Sequence, residues 1–328
     1  MSLLTDIAST SMPVTEPKIG GCSLCGNNRL QLLQSISTSV ICDLVQDDAA
    51  ADVAQEFGVV DRIDYYHCLD CDLRFFHPAV TGSERFYEQL QMLESYYPVE
   101  KPEFEFARRY IHPNDTVLEV GCGSGAFGAQ AHVAQYVGLE FSAKAAAAAR
   151  IRGLTVLQES VEGHARSKPA AYDVICTFQV LEHVAQVELF LRGCLAALKP
   201  GGLLIISVPS ADSFARGIPN FVLDLPPHHV TRWTDRCLGG LPKLLPVDLV
   251  ALWHEPLQPV HLRMYIQSVL NRMAYGLVAK IVPAVEPGRI AAAVLSLNWK
   301  VSRLLAPLFP ANKVRGISVT AVYRKASS

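Results

Sequence analysis

The segment Leu118-Glu119-Val120-Gly121-Cys122-Gly123-Ser124-Gly125-Ala126-Phe127 constrains this chain more than any other. The apolar run Thr116 to Val120 reads as a buried strand, and a helical pattern is expected from about Gly125 to Val133. A strand that enters a helix through a glycine turn directs backbone N–H groups toward a ligand. Glycine suits such a turn because it accepts positive φ and leaves no Cβ in the ligand's way. The segment therefore predicts a nucleotide-type cofactor site beyond the C-terminal ends of the strands of an α/β sheet.

Two cofactor chemistries compete for that loop. Gly121, Gly123 and Ala126 satisfy the permissive dinucleotide fingerprint G-x-G-x-x-G/A, and Glu140 lies where an acid would hold ribose hydroxyls. Glu119 argues for the other chemistry. A carboxylate beside the loop repels a pyrophosphate, whereas the ammonium and sulfonium of S-adenosylmethionine favour nearby negative charge. An acid ahead of G-x-G-x-G resembles motif I of class I S-adenosylmethionine-dependent methyltransferases.

Further segments continue that resemblance in order. Glu140 ends the apolar run Tyr136-Val137-Gly138-Leu139, and Tyr172 to Phe178 looks like the family's fourth strand. Val180-Leu181-Glu182-His183-Val184 follows it, and Leu198-Lys199-Pro200-Gly201-Gly202 precedes a fifth strand, Leu203 to Val208. The resemblance implies a seven-stranded, doubly wound, Rossmann-like α/β sheet. It also implies cofactor contacts at Glu119, Gly121, Gly123, Ser124, Gly125, Glu140, Phe141, Ser160, Val161 and Gln179. Ser160 departs from the family pattern, in which an Asp is frequent at that position. A NAD-dependent oxidoreductase and a non-catalytic scaffold that keeps the cofactor fold are the rival readings.

With 328 residues, half of them apolar, the chain can bury one large core and a smaller one. A net charge of −2 without a basic run gives no nucleic-acid footprint. The first twenty residues lack the apolar segment of a signal peptide, and no stretch is long and apolar enough to predict a membrane span. An odd count of nine cysteines then fits reduced thiols and a cytoplasmic location. Cys42, Cys122, Cys176, Cys194 and Cys237 stand singly in apolar surroundings, as small buried hydrophobes do.

The other four cysteines form two C-x-x-C pairs, Cys22/Cys25 and Cys68/Cys71. Each pair can place two thiolates on one side of a tight knuckle, and two knuckles make a tetrahedral site suited to structural Zn²⁺. Strands from Leu30 to Val40 and Arg62 to Tyr66 would complete the module. It resembles the cysteine-rich region ahead of some methyltransferase domains, sugar methyltransferases among them. There the second knuckle leads into an aromatic strand and a proline, here Leu73-Arg74-Phe75-Phe76-His77-Pro78, and then a linker helix, here Glu84 to Tyr97.

Methyl transfer to a hydroxyl needs alignment and a route for the proton. The catalytic candidates are His229 and His228, in Asn220-Phe221-Val222-Leu223-Asp224-Leu225-Pro226-Pro227-His228-His229-Val230-Thr231-Arg232-Trp233, and His183 after the fourth strand. Each either accepts a proton or anchors the acceptor, or else only bridges loops or lines the cofactor pocket. Val247 to Trp253 and Arg315 to Arg324 read as the last two strands. The helical stretch between them carries apolar residues at Met264, Val269, Leu270, Met273, Ile290, Ala293, Val294, Leu297 and Val301. It reads as a lid, a dimerisation surface, or a membrane-facing pair whose cations, Arg263 to Arg303, meet anionic lipid.

The expected organisation is a tail (1–18), a zinc ribbon (19–80), linker helices (81–112), a cofactor-binding core (113–260 and 312–328) and a C-terminal helical insertion (261–311). The expected partner is a small-molecule acceptor, with a sugar, sugar nucleotide or glycolipid intermediate implied by the resemblance. A homodimer through the insertion is a further expectation.

Overall fold

Two β-sheets organise the chain in a computed structural model that describes residues 20–49, 53–90, 101–276, 282–309 and 314–327. The expected tail, Ser95 to Pro98 of the linker helix, and Lys280 and Ala311 of the insertion lie outside the described residues. The first sheet is antiparallel. It contains β1 (Leu30–Ser37), β2 (Arg62–Cys68) and β3 (Arg74–His77), with helices α1 (Thr38–Ala49) and α2 (Ala54–Phe57) between β1 and β2. Ile36, Ile41, Phe57, Ile63 and Phe76 form its core. Its fourth strand comes from far along the chain: β9 (Thr231–Arg232) pairs with β3 through Arg74↔Arg232 and Phe75↔Thr231. The cysteine-bearing sheet is thus completed by a strand from the segment that carries His228 and His229.

After α3 (Glu84–Leu90) and α4 (Pro102–Arg108) comes the second sheet. Its strands are β4 (Thr116–Val120), β5 (Gln135–Leu139), β6 (Thr155–Leu157), β7 (Tyr172–Phe178), β8 (Leu198–Pro209), β10 (Val247–Pro256) and β11 (Arg315–Lys325). Their order is β10-β11-β8-β7-β4-β5-β6, with β4 to β8 parallel and β11 antiparallel between β8 and β10. Strand order reverses between β4 and β7, so the loops after these two strands open the crevice where ligands bind in such sheets.

Helices α5 (Ala143–Ile151), α6 (Val161–Ser167) and α7 (Val187–Ala197) alternate with the strands. Ser142 and Ser160 cap α5 and α6, accepting from the N–H groups of Ala145 and Gly163. Val161, Leu191 and Cys194 pack on one sheet face with Leu118, Ile175 and Leu204. Phe104, Phe106, Phe127, Phe178 and Val322 cover the other.

The helix expected over Gly125 to Val133 does not form. Gly125 to Phe127 make turns, and only Gly128–Gln130 closes a short 3₁₀ turn. Gly125 and Gly128 weaken any helix there, and Gly128 must stay small because a Cβ would meet the Tyr136 ring at 2.4 Å. His132 then leaves the helical region with φ +45°. Phe127 covers the sheet in place of a helix, with its ring centroid 5.4 Å from Phe104 and 4.8 Å from Phe178. Among the described residues, no α-helix therefore follows directly on the glycine loop.

The C-terminal part adds α8 (Asp235–Gly240), α9 (Leu262–Gly276) and α10 (Arg289–Leu305). The buried face of α9 is Ile266, Ser268 and Asn271, while Val269 and Met273 are exposed. Polar residues turn inward because they bond to a facing turn: Ser268 Oγ donates to the Phe214 carbonyl at 2.5 Å, and Asn271 Nδ2 to the Gly217 carbonyl at 3.1 Å. Gln34 of β1 bonds the Val285 carbonyl at 2.6 Å, tying the insertion to the first sheet. Among the described residues, no helix is long and apolar enough to cross a membrane.

Candidate functional site

A cleft of about 1860 Å³ lies over the strand-order reversal and reaches from the glycine loop to the first sheet and the insertion. Pockets for one drug-sized ligand span roughly 300–1,000 Å³, so the cleft has room for two molecules side by side.

At one end, Gly121, Gly123 and Gly125 all have positive φ (+73°, +53° and +78°). They do different work. A Cβ on Gly121 would meet Val180 Cγ2 at 2.4 Å, and one on Gly125 would meet Leu154 Cδ1 at 2.4 Å and the Ala149 Cβ at 3.1 Å. A Cβ on Gly123 would meet nothing within 4 Å, because that position opens on the cleft. Gly125, where a cofactor contact is also expected, stands apart from Gly121 and Gly123, which line the cleft. Gly125 is absent from the cleft wall and is small because α5 packs against it.

Glu119, Ser124, Glu140, Phe141, Ser160, Val161 and Gln179 do line the cleft. Two backbone donors fix the Glu140 carboxylate, Gly123 N–H at 2.9 Å and Ser142 N–H at 2.8 Å. Burial pushes the Glu119 carboxyl up to about 8, and the Tyr136 hydroxyl that donates to it offsets only part of that rise. Ser160 spends one acceptor site on capping α6. The Gln179 side-chain amide lies 3.3 Å from Glu103, Ser207 and Ser318, which makes it a strut of the cleft floor.

At the other end, the structure brings His183, His228 and His229 together. Their ring centroids lie 4.4–4.9 Å apart. His183 sits in the 3₁₀ turn after β7, and the other two precede β9. The segments are laced together: Val230 N–H donates to the Glu182 carbonyl at 2.9 Å, and Thr231 Oγ1 to the Leu181 carbonyl at 3.1 Å. Phe76 N–H of β3 donates to the Val230 carbonyl at 2.9 Å, so the first sheet pins the histidine loop. Burial lowers the His183 imidazole to about 4. Burial and mutual repulsion hold His228 and His229 well below the usual range, so all three are neutral at pH 7.

Sequence reasoning missed three neighbours of this cluster. Glu182, buried and pushed up to about 8 by desolvation, lies 3.9 Å from His183 Nε2 and 4.0 Å from His229 Nε2. Asp224 stands 3.2 Å from His229 Nδ1 and pairs with Arg232 at 2.9 Å. The Tyr87 hydroxyl is 3.1 Å from His183 Nδ1. Glu182 was visible as the neighbour of His183 in the same motif; the others depend on chain crossings that no local pattern encodes.

The four paired cysteines converge outside the cleft, with all four sulfurs within 4.8 Å of one another. Cys22 and Cys71 Sγ are 3.5 Å apart, and Cys25 and Cys68 Sγ 3.6 Å, too far for disulfides. Tetrahedral Zn–S bonds of about 2.3 Å require sulfurs roughly 3.8 Å apart, so the donor set fits a thiolate-bound Zn²⁺. Gly26 (φ +72°) and Asp72 (φ +69°) turn the chain out of the two knuckles. Asp72 also accepts from Thr234 Oγ1 at 2.5 Å, which joins the second knuckle to the N-cap of α8.

A family model described as a methyltransferase domain matches residues 93–273, more than half of the chain. The chain is 38% identical over 100 residues to a ubiquinone biosynthesis O-methyltransferase of Serratia proteamaculans (strain 568), a match covering 28% of this chain and 42% of that protein. It is 34% identical over 132 residues to the protein of the same name from Sodalis glossinidius (strain morsitans), covering 36% and 53%. The chain thus spans about half the length of the curated relatives it matches. A solved SAM-dependent methyltransferase from Archaeoglobus fulgidus aligns with a TM-score of 0.49 at 16% identity, over 73% of this chain and 100% of that one.

Proposed function

The chain belongs to the methyltransferase-domain family, and from that premise we propose that it moves a methyl group from S-adenosylmethionine to a hydroxyl of a small molecule. The observation that carries this reading is one continuous cleft with the glycine loop at one end and the histidine cluster at the other. Bound S-adenosylmethionine supplies a methyl group already activated on its sulfonium. Gly123 leaves space for it, Glu140 offers its remaining lone pairs to the ribose diol, and Glu119 places a carboxyl beside its positive charge. The acids Glu119 and Glu140 beside the loop favour a cofactor that carries no phosphate there.

The histidine end receives the acceptor. The cluster of imidazoles and Glu182 would take up the hydroxyl proton as the acceptor receives the methyl group that the cofactor would supply. Holding donor and acceptor in line is worth up to about 7–11 kcal/mol in well-aligned systems, so the walls matter as much as the base. Met264 and Arg272 of the insertion form part of the acceptor wall, which favours a lid over the other readings of that segment. Arg74, Arg216 and Arg272 line the same region and suit an acceptor bearing phosphate, as a sugar nucleotide does. The relatives' name, ubiquinone biosynthesis O-methyltransferase, favours a different acceptor methylated on oxygen. Zn²⁺ on Cys22, Cys25, Cys68 and Cys71 is the structural staple that fixes β3, and through β9 the histidine loop.

His228→Ala combined with His229→Ala tests the reading. Cofactor binding is expected to persist while turnover on the true acceptor is lost. Unchanged turnover would remove both residues from the mechanism.

A further inference from the structure

Glu182 stands out among the buried charges of the cleft. It is 1% exposed, and among the described residues neither carboxylate oxygen has a hydrogen-bond partner. An ionised carboxylate so buried lacks compensation. Protonation does not supply it, because the carboxyl O–H then needs an acceptor. Two imidazoles stand beside it, His183 Nε2 at 3.9 Å and His229 Nε2 at 4.0 Å, and one ring nitrogen from each of His183, His228 and His229 lies within 4.8 Å of the other two.

The ring tautomers follow from the partners of the opposite nitrogens. His183 Nδ1 lies 2.5 Å from the His228 carbonyl, and His228 Nδ1 lies 2.7 Å from the Leu223 carbonyl. Carbonyl oxygens only accept, so both Nδ1 atoms carry hydrogen and both Nε2 atoms carry lone pairs. His229 Nδ1 faces the Asp224 carboxylate at 3.2 Å, which sets the same tautomer, and Arg232 holds Asp224 in turn. Three imidazoles anchored through Nδ1 to carbonyls or a carboxylate is how proteins orient histidines that ligate metals.

We infer that His183, His228 and His229 form a binding site for a divalent first-row transition ion at the acceptor end of the cleft, with the Glu182 carboxyl beside it. The catalytic use of that ion rests on the function proposed above. Imidazole donors select ions such as Zn²⁺, Co²⁺ or Ni²⁺ over Mg²⁺ and Ca²⁺. Three neutral imidazoles with one carboxylate beside them leave a divalent ion with net positive charge, which favours a hydroxyl oxygen as it loses its proton; with the imidazole lone pairs on the ion, Glu182 and not the rings takes that proton. The site is distinct from the four-cysteine site, whose thiolates leave no position open.

Metal content of the full chain tests this, measured after loading with Co²⁺ or Zn²⁺ and removal of loose ions by gel filtration. The unaltered protein is expected to hold one equivalent more than the His228→Gln/His229→Gln variant, whatever the cysteines hold. In the Co²⁺ protein, nitrogen- and oxygen-ligand bands should vanish in the variant while thiolate charge-transfer bands stay. Glu182→Gln, which conserves volume, should weaken Co²⁺ binding roughly 10–100-fold. Equal metal content in the two folded proteins overturns the inference. If the double variant does not fold, unchanged Co²⁺ affinity in Glu182→Gln overturns it instead. The measurement contains neither cofactor nor acceptor, so failure of this inference and failure of the proposed function are read separately.

Discussion

Replacing Gly123 and Gly125 by alanine, one at a time, separates cofactor contact from packing. Both positions have positive φ, which costs an L-residue about 1–2 kcal/mol. At Gly123 that is the whole cost to the fold, because its Cβ would meet no protein atom within 4 Å. At Gly125 the Cβ also runs into Leu154 and the Ala149 Cβ. Leu154 can swing aside but Ala149 cannot, and overpacking of this kind adds about 1–3 kcal/mol. Midpoints of larger domains move about 2–4 °C per kcal/mol, so Gly123→Ala should lower the melting temperature by a few degrees and Gly125→Ala by about twice that. Cofactor affinity should show the opposite order. The new methyl of Gly123→Ala projects into the cleft, and a misfit of about 1–3 kcal/mol weakens binding by about 5- to 150-fold. Scanning fluorimetry and calorimetric titration read the two quantities. If Gly123→Ala bound S-adenosylmethionine as well as the unaltered chain, the cofactor would not lie against that glycine.

Three further outcomes are expected. A cationic cofactor stabilises ionised Glu119, whose carboxyl sits at about 8 in the free protein. Affinity should therefore rise between pH 6 and pH 8, by at most about tenfold per unit, and a flat profile equal to that of Glu119→Gln would exclude this pairing. The same raised carboxyl contributes stability that is full below its ordinary 4.5 and is lost as pH rises through about 8. The depressed histidines act in the opposite sense only below their ordinary 6.5, so above that pH Glu119→Gln should flatten the fall in melting temperature. Chelation of zinc should release the four thiols, lower the melting temperature and loosen the histidine loop through β3 and β9; unchanged dichroism and melting with zinc confirmed absent would refute the ribbon's structural role.

What was legible in the sequence follows from how local each signal is. The order of strands and loops around Glu119, Glu140 and Glu182-His183 could be read because each is a short run with its own period or turn residues. The two C-x-x-C pairs were equally plain. The helix expected after Gly125 fails on the glycines at 125 and 128, while Phe127 and Tyr136 make the packing that replaces it. The buried face of α9 is not legible in the sequence, because Ser268 and Asn271 are polar and only the facing carbonyls of Phe214 and Gly217 explain their burial. The meeting of His183 with His228 and His229 spans 45 residues or more, and depends on the chain after β8 returning to the first sheet to complete it as β9.

The most direct test of the central claim is calorimetric titration of the purified chain with S-adenosylmethionine, its demethylated product and NAD. Micromolar binding of the first two with no binding of NAD is expected. Binding of NAD alone would contradict the reading of Glu119 and of the cleft built around it.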